Sequence, residues 1–355
     1  MKVLLLSAYD TDSHKSWCQG LMQHLPEFEW HYSCLPGRYF SWRIRGNPLS
    51  WMTGKDQSLF QQRFDLIIAT SMVDVATLRG LTPELAGTPW LVYFHENQFA
   101  YPKSQQQHGS IEPQMVNLYS ALAADHVLFN SQFNRRTMLD GITQLMAKMP
   151  DLAPRNLAQR IESKSQILPV PINLKPAKAW VNHSNENKLK LIWNHRWEYD
   201  KGPDSLLNIV RAIEEKRLPI EVNIAGKRFQ RAPDAFDKLS DLSCVKRIGT
   251  YESVEDYLQA LLESDIVLST ASHEFQGLAM LEGAAMNCVP LAPNDLAYPE
   301  WIPQSCLYQT EQDAICLLEK WCQQGLPETP DVHHYTWQYM APKYQSLLVS
   351  LSGRS

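Results

Sequence analysis

Short hydrophobic runs alternate with longer amphipathic segments along most of the chain. The runs are rich in Val, Ile, Leu and aromatic residues, which is typical of strands buried on both faces of a parallel sheet. The intervening segments carry apolar residues three or four positions apart, as helices packed on such a sheet do. We predict strands at 3–7, 30–34, 66–70, 91–95, 126–130, 166–170, 190–194, 220–225, 245–248, 266–269 and 288–291. The clearest predicted helices are 112–124, 132–147, 203–216, 253–263 and 277–286.

A Pro-rich and then polar stretch interrupts this alternation near the middle of the chain, as an interdomain linker does. The alternation on each side predicts two doubly wound α/β domains, 1–172 and 189–330, joined by a linker at 173–188. The last segment, 331–355, is predicted to be helical and to pack back toward the first domain. Ligands of such sheets bind beyond the carboxyl ends of the strands, so we expect a site in the cleft between the domains.

Composition narrows the class of protein. A chain of 355 residues with 44% hydrophobic content suits two globular domains, and a net charge of −5 excludes a protein that coats nucleic acid by bulk charge. The seven cysteines have no CxxC spacing, which favours free thiols in a reducing compartment. No stretch approaches the roughly 20 apolar residues that span a membrane, and the apolar start is short for a secretory signal. We therefore expect a cytoplasmic protein without membrane contact; the oligomeric state stays open.

The run around Glu274 carries the first candidate chemistry. The predicted strand at 266–269 leads through Glu274 and Gly277 into a helix, and Glu282 lies eight residues after Glu274. Free backbone N–H groups at a helix start attract anions, and a carboxylate can accept hydrogen bonds from two ribose hydroxyls. The alternative is an ordinary strand–helix turn with surface acids.

A second run opens the second domain. Its first strand leads to Arg196, and Lys201-Gly202 follows before a helix. Arg offers a planar fork of donors and Lys a point charge, a combination suited to a diphosphate that gains charge as a bond breaks. An ordinary solvated loop with two basic residues is the alternative.

Together the two runs resemble the retaining nucleotide-sugar glycosyltransferases of the GT-B fold, often called family four. These enzymes have two Rossmann-like domains facing each other across a cleft, and their second domain has a strand ending in Arg, a Lys-Gly pair and a Glu-x7-Glu motif. The resemblance implies a donor site formed by the matching residues: Arg196 and Lys201 for the diphosphate, Glu282 for the ribose, and Glu274, Gly277 and Leu278 for the donor sugar and phosphates.

Three runs in the first domain narrow the resemblance. Ser13-His14 follows the first predicted strand, Trp42-Arg43-Ile44-Arg45 the second, and His95-Glu96-Asn97-Gln98 the fourth. This set is similar to the tRNA-queuosine alpha-mannosyltransferases, which move mannose from GDP-mannose onto the queuosine base of an aspartate tRNA. The resemblance implies that donor, that acceptor and retention of anomeric configuration, and it places a loop with Ser13 and His14 over the donor phosphates.

The basic and aromatic run after the second strand is the expected acceptor site. Arg side chains contact RNA phosphates, and an indole can stack on an unpaired base. The acceptor-binding residues in this run would be Arg38, Trp42, Arg43 and Arg45. A surface loop with no partner is the alternative that the residues alone leave open.

His95 stands at the predicted end of a strand. A zinc-binding helix would need a second histidine where Phe99 stands, so that motif does not fit. We expect His95 to face the cleft and to bind a sugar hydroxyl or handle a proton, a role suited to a pKa near neutrality. Asn97 and Gln98 are expected to position sugar or base hydroxyls, and a structural role in the loop stays open.

The reaction expected from these residues is a metal-independent, retaining hexosyl transfer with no cofactor besides the sugar nucleotide. The expected catalytic residues are His95, Arg196, Lys201 and Glu274. One alternative is a GT-B enzyme that uses another sugar nucleotide on a small-molecule or lipid acceptor. Another is a non-catalytic RNA- or nucleotide-binding protein on the same scaffold, although a retired site has no physical reason to keep all the donor residues.

Overall fold

The computed structural model describes residues 1–101, 110–173, 188–227 and 234–353. The chain divides into two compact units, one formed by Met1–Pro171 with Trp337–Ser355 and the other by Ile172–Thr336. We call them unit 1 and unit 2. The predicted linker, 173–188, lies almost entirely outside the described residues.

Unit 1 is built on a six-stranded sheet whose paired strands run parallel, in the order β2-β1-β3-β4-β5-β6. Its elements in chain order are β1 (Lys2–Asp10), α1 (Asp12–His24), β2 (Glu29–Pro36), α2 (Phe40–Met52), β3 (Leu66–Thr70), α3 (Val75–Leu81), β4 (Trp90–Phe94), α4 (Glu112–Ala123), β5 (His126–Phe129), α5 (Gln132–Ala147), α6 (Leu157–Glu162) and β6 (Ser165–Ile167). Every residue of β3 and β4 is buried, as expected for strands covered on both faces.

Unit 2 contains a second six-stranded parallel sheet, in the order β12-β11-β10-β7-β8-β9. Its elements are β7 (Leu189–Asn194), α7 (Pro203–Glu215), β8 (Ile220–Ala225), α8 (Ala235–Leu239), β9 (Val245–Gly249), α9 (Val254–Leu262), β10 (Ile266–Leu268), α10 (Leu278–Ala285), β11 (Val289–Pro293), β12 (Leu307–Tyr308) and α11 (Glu311–Gln324). The two parallel sheets with their helices confirm the predicted α/β class.

The C-terminal helix, α12 (Trp337–Leu351), belongs to unit 1. Its Tyr344 hydroxyl accepts a hydrogen bond from the Trp17 indole of α1 at 3.1 Å and donates one to the Pro169 carbonyl at 3.0 Å. Trp337 stacks on His24 at the other end of α1, with ring centroids 4.9 Å apart. In the described parts of the chain, no helix is long and apolar enough to cross a membrane.

Two segments expected as loops are helical. Ser13 and His14 lie in the first turn of α1, where the acidic Asp12 suits the helix dipole. Trp42, Arg43 and Arg45 lie on α2, which continues through Pro48. Proline cannot donate to the Ile44 carbonyl four residues back, but the Asn47 amide donates to that carbonyl at 3.3 Å. This side-chain bond replaces part of the lost backbone bonding.

Candidate active site

The strand order of unit 2 places its two predicted motifs side by side. β7 pairs with β8 on one edge and β10 on the other, so consecutive connections leave the sheet in opposite directions at this point. Loops that follow the two neighbouring strands of such a switch point form a crevice in doubly wound sheets. The segment after β7 carries Arg196 and Lys201, and the segment after β10 carries Glu274.

Lys201 is the centre of this crevice. Its ammonium lies 3.2 Å from a Glu274 carboxylate oxygen and 3.1 Å from an Asp200 carboxylate oxygen. It also donates a hydrogen bond to the His273 carbonyl at 3.0 Å, and the side chain is buried. The predicted proximity of Lys201 and Glu274 is therefore present, whereas the contribution of Asp200 was missed although it precedes Lys201 in the sequence.

Burial and charge act in opposite directions on this pair. Burial lowers the pKa of Lys201, but Glu274 and Asp200 raise it more, so the pKa lies above its ordinary value. For Glu274, burial raises the pKa, but Lys201 and His195 lower it to about 2. Both groups are consequently charged at neutral pH. A fixed ammonium in a sheltered crevice is the type of group that stabilises a diphosphate.

Arg196 is about half exposed, and its guanidinium pairs with Glu198 at 3.2 Å. His195, the neighbouring residue, is buried, and burial together with the Lys201 charge lowers its pKa to about 4. The imidazole is neutral, so Lys201 and Arg196 supply the positive charge after β7.

The start of α10 provides the second part of the donor site. Gly277 has a φ of +81°, which favours glycine, and a Cβ there would meet the Tyr298 ring at 2.7 Å. The N-cap residue of α10 is Gly277 itself, which has no side chain to cap the helix start. The first backbone N–H groups of a helix have no acceptor within the helix and attract anions, so an anion site at Leu278 stays a prediction.

Glu282, one helical turn further, is partly buried and connected to the neighbouring elements. The Tyr257 hydroxyl of α9 donates to its carboxylate at 2.7 Å and accepts from the Asn194 amide at 2.9 Å. Burial raises the pKa of Glu282, and the Tyr257 hydrogen bond lowers it in part. Neither Tyr257 nor Asn194 carries a sequence motif, so both were missed.

A cavity of about 340 Å³ opens beside this cluster. It lies beyond the carboxyl ends of β7 and β8 and is bordered by the segment that joins β9 to α9. Its lining residues are Asn194, Ala225, Gly226, Thr250, Tyr251, Glu252, Ser253, Val254 and Tyr257. A cavity at this edge of a parallel sheet is where a ligand of this architecture binds.

Unit 1 has a polar cluster at the carboxyl edge of its own sheet. His14 of α1 lies 2.9 Å from a Glu96 carboxylate oxygen, and Ser71, which follows β3, donates to the other oxygen at 2.6 Å. Burial lowers the pKa of His14, but the Glu96 charge and hydrogen bond raise it above its ordinary value. Sequence analysis missed Glu96 and Ser71, although Glu96 stands within the His95–Gln98 run.

His95 follows the end of β4 and packs against His14, with ring centroids 4.3 Å apart and ring planes tilted by 33°. Its ring is buried, and neither nitrogen has a hydrogen-bond partner in the described part of the chain. Burial and the His14 charge hold the pKa of His95 well below its ordinary value. The expectation of a pKa near neutrality is therefore wrong: His95 is a neutral imidazole with two unused ring nitrogens.

The structure corrects the prediction that Asn97 positions a sugar or base hydroxyl. Its side chain is fully buried, its amide donates to the Asn134 carbonyl and side chain at 3.0 and 2.9 Å, and its oxygen accepts from the backbone N–H groups of Phe99 and Ala100 at 2.9 and 3.0 Å. These bonds hold the loop after β4 and leave no group for a ligand. Gln98 is half-buried, with its amide 3.8 Å from the Met72 sulfur, and its proposed contact with a hydroxyl stays a prediction.

The predicted acceptor residues divide into exposed and buried members. Arg38 is exposed, and Trp42 is 54% exposed with its ring packed over Gly46. Arg45 is half exposed and pairs with Asp74 at 2.8 Å and Glu112 at 3.3 Å. Arg43 is buried and donates to Ser50 of its own helix at 3.4 Å, so the expectation that it contacts the acceptor is corrected.

No group of three His, Cys, Asp or Glu side chains arranged to hold a metal ion is found within the described ranges.

Comparisons with known proteins agree with this architecture. Residues 2–172 match the family model of the tRNA-queuosine alpha-mannosyltransferase N-terminal domain. The chain is 34% identical over 332 residues to the tRNA-queuosine alpha-mannosyltransferase of Drosophila melanogaster, an alignment that covers 90% of this chain and 86% of that protein.

Two solved structures are similar over nearly the whole chain. Sucrose-phosphate synthase from Thermosynechococcus elongatus matches with a TM-score of 0.73 at 12% identity, covering 100% of each chain. The lipopolysaccharide outer core galactosyltransferase WaaB matches with a TM-score of 0.64 at 13% identity, covering 99% of each chain. At such identities the likeness concerns the fold alone, and it confirms the predicted GT-B fold.

Proposed function

Because the chain belongs to the tRNA-queuosine alpha-mannosyltransferase family, we propose that this glycosyltransferase moves mannose from GDP-mannose onto the queuosine base of an aspartate tRNA. The name of the Drosophila relative supports the sugar and the acceptor. The observation that carries the donor half is the buried Lys201 ammonium beside Glu274, near the start of α10 at Gly277.

The donor is proposed to bind unit 2 through its nucleotide. The diphosphate would lie between Lys201, Arg196 and the N–H groups at Gly277 and Leu278, and Glu282 would accept hydrogen bonds from the ribose. The cavity of about 340 Å³ beside Tyr257 would hold the nucleoside. A guanine presents several N–H donors, and the exposed Glu252 carboxylate at the cavity rim is a suitable acceptor for them.

Catalysis is proposed to rest on charge stabilisation. As the anomeric bond breaks, negative charge moves onto the diphosphate, and preorganised cations and amides stabilise it without reorganisation. Lys201 fits this role because its position is fixed by Glu274, Asp200 and the His273 carbonyl. We propose that these groups suffice without a metal ion and that the anomeric configuration is retained.

His95 is proposed to contact the donor sugar as a neutral imidazole. Its two unpaired ring nitrogens can donate one hydrogen bond and accept another, which suits a sugar hydroxyl. Because its pKa is far below neutrality, it would not serve as a proton donor at pH 7.

The acceptor is proposed to contact unit 1 through Arg38, Trp42 and Arg45. Trp42 offers an exposed indole face, on which an unpaired anticodon base can stack. Arg38 supplies an exposed cation near the start of α2 for a phosphate. Gln98 would contribute a polar contact.

The direct test is incubation of the protein with GDP-mannose and queuosine-containing tRNA, followed by mass analysis of the nucleosides. We expect queuosine to gain one hexose, also in the presence of EDTA. The same tRNA with guanosine in place of queuosine serves as the acceptor control, and UDP-sugars serve as donor controls. Transfer only from another sugar nucleotide, or only to a small molecule, would contradict the proposal.

Two variants of exposed aromatic residues in unit 1 test the proposed acceptor surface. Trp42→Ala should raise the KM for tRNA by about ten-fold, since stacking on an aromatic ring contributes about 1–3 kcal/mol per base. Tyr339→Ala removes another exposed aromatic ring of unit 1, on α12, and should leave the KM unchanged. An equal response of the two variants would place the acceptor elsewhere.

A further inference from the structure

Three neighbouring strands of unit 2 end side by side beneath the cavity of about 340 Å³. Asn194, the last residue of β7, lies in register with Ala225 at the end of β8, and Ala225 lies in register with Gly249 at the end of β9. Of these three, Asn194 alone brings a polar side chain to the cavity. The side chain is only 9% exposed, so its polar atoms depend on partners other than bulk water.

The hydrogen bonds of Asn194 fix the orientation of its amide. The Nδ2 atom lies 2.9 Å from the Ala279 carbonyl, which can only accept, so this end of the side chain is the donor. Nδ2 also donates at 2.9 Å to the Tyr257 hydroxyl, whose own proton is directed to Glu282. The oxygen and nitrogen of the amide therefore cannot exchange places without losing both bonds.

This orientation leaves the Oδ1 atom of Asn194 buried without a hydrogen-bond partner among the described residues. An unpaired buried carbonyl oxygen is costly, and most such atoms in folded proteins have a partner. Asn194 lines a cavity large enough for a ligand, so the missing partner can come from the molecule that fills it. That partner must be a donor, which excludes a phosphate group.

We propose that Asn194 is a specificity-determining residue of the sugar-nucleotide site, and that its Oδ1 atom accepts a hydrogen bond from an N–H or O–H group of the bound nucleoside. This inference rests on the proposed function, because it requires a nucleotide in unit 2. It adds a residue without any motif to the donor site.

The same geometry gives Asn194 a second task. Its amide donates to Tyr257, and Tyr257 donates to Glu282, so the three side chains form one directed chain of hydrogen bonds. Glu282 would bind the ribose and Asn194 a donor group of the nucleoside. The hydrogen bonds through Tyr257 would fix the positions of both side chains relative to each other.

The test is a cycle of protein variants and nucleotide analogues, measured as Kd by calorimetry on the full chain. Asn194→Ala should weaken GDP binding by about 3- to 10-fold, the size of one net hydrogen bond. The analogues 2′-deoxy-GDP, 3′-deoxy-GDP, IDP and 1-methyl-GDP each lack one candidate donor. Because Asn194→Ala also removes the bond to Tyr257, part of the loss should remain for every analogue, and the loss should be smallest for the analogue that lacks the partner of Oδ1.

The matched control is Asn223→Ala. Asn223 lies on β8, two residues before Ala225, and does not line the cavity. This variant should bind GDP and every analogue as the wild-type protein does. Equal weakening by both Asn variants, or a loss at Asn194→Ala that is the same for GDP and all four analogues, overturns the assignment.

The outcome also separates this inference from the function on which it rests. The series is run with guanosine nucleotides and with the corresponding uridine nucleotides, and the one that the wild-type protein binds is analysed. A wild-type protein that binds UDP but not GDP contradicts the proposed donor and leaves the Asn194 cycle to be judged on UDP analogues. A wild-type protein that binds neither overturns both.

Discussion

Lys201 is the residue on which the proposed chemistry depends most. Lys201→Ala removes the ammonium that would face the diphosphate, and we expect kcat to fall by about 100- to 1,000-fold. It also leaves Glu274 without its partner; because that carboxylate keeps 22% of its surface exposed, the loss in unfolding free energy should be about 1–3 kcal/mol. Transfer assays and urea denaturation measure the two effects.

Lys216→Ala is the control for Lys201→Ala. Lys216 pairs with Glu319 at 2.6 Å on the surface of the same unit, where the two side chains are 43% and 30% exposed. Exposed pairs of this kind contribute little, so kcat and the urea midpoint should match those of the wild-type protein. Activity that survives in Lys201→Ala would contradict the assigned role.

The pKa values of the two adjacent histidines of unit 1, His14 and His95, are shifted in opposite directions. Glu96, with Asp10 further away, raises the pKa of His14, whereas burial and the His14 charge lower that of His95. Because His14 has the higher pKa in the folded state, its stabilisation is complete below about pH 6.5 and is lost as the pH rises through its folded-state pKa. Glu96→Gln should remove this pH dependence.

The measurement is the free energy of unfolding between pH 6 and 9 for the wild-type protein and Glu96→Gln, with imidazole NMR to assign each ring. The wild-type protein should lose stability toward alkaline pH relative to the variant, and the His95 ring should stay neutral throughout. Parallel stability curves for the two proteins would show that the His14–Glu96 pair does not carry this charge.

Sequence reasoning at this scale succeeded where the family resemblance assigned residues to one site. Lys201 and Glu274 were expected together because the resemblance implies a shared donor site, and their charges are 3.2 Å apart. Asn97 was misjudged because the sequence does not distinguish an amide that binds its own loop from one that binds a ligand. The pKa of His95 was misjudged because the full burial of its ring, which lowers the pKa most, and the nearby charge of His14 on α1 are visible only in the structure.

At the scale of elements, the start of α10 depends on Gly277. In Gly277→Ala the methyl group would meet the Tyr298 ring at a position whose φ of +81° already disfavours a side chain. We expect a loss of about 1–3 kcal/mol in unfolding free energy and a weaker affinity for the nucleotide, since the helix start must shift.

Gly325→Ala is the control for the effect on the nucleotide. Gly325 has a φ of +87° and a ψ of 163°, a conformation that almost only glycine adopts, and a Cβ there meets no atom within 4 Å. This variant should also lose about 1–3 kcal/mol in unfolding free energy, but its nucleotide affinity should be unchanged. If Gly325→Ala weakens the affinity as much as Gly277→Ala does, the effect is not specific to the start of α10.

Element prediction worked for strands and failed for two helices. The hydrophobic runs fixed eleven of the strands to within a few residues, because continuous burial produces a strong pattern. β12 is two residues long and leaves no such pattern. The helix α2 was missed because it contains Gly46, Asn47 and Pro48, which disfavour helices, and because the compensating bond from Asn47 to the Ile44 carbonyl is visible only in the structure.

At the scale of the whole molecule, fold and family are recoverable from different parts of the sequence. Solved structures with 12% and 13% identity share the fold, so the pattern of strands and helices specifies it without conserved detail. Family membership rests on 34% identity to one relative and on the match over residues 2–172. The runs that suggested the family in unit 1 lie within that matched range. GT-B enzymes that act on other acceptors are under no functional constraint to share these runs.

The path of the chain makes unit 1 depend on its own last residues. Unit 1 is formed by Met1–Pro171 and by Trp337–Ser355, so the chain leaves it and returns. Trp337 is buried over Gly20 of α1, where a Cβ would fall onto the indole ring. The effects of substituting Trp337 and Gly20 on the free energy of unfolding should therefore depend on each other.

Trp337→Ala should lower the free energy of unfolding by about 3–5 kcal/mol, because it leaves a cavity between α1 and α12. Gly20→Ala alone should cost about 1–3 kcal/mol by overpacking against the ring. In the Trp337→Ala background the same change should reverse sign and stabilise by about 0.5–1 kcal/mol, because the space is then empty and alanine is the better helix former. Urea denaturation of the four proteins measures the cycle, and GDP affinity, assigned to unit 2, should stay constant across it. Additive effects of the two substitutions would show that α12 does not pack on α1 through this contact.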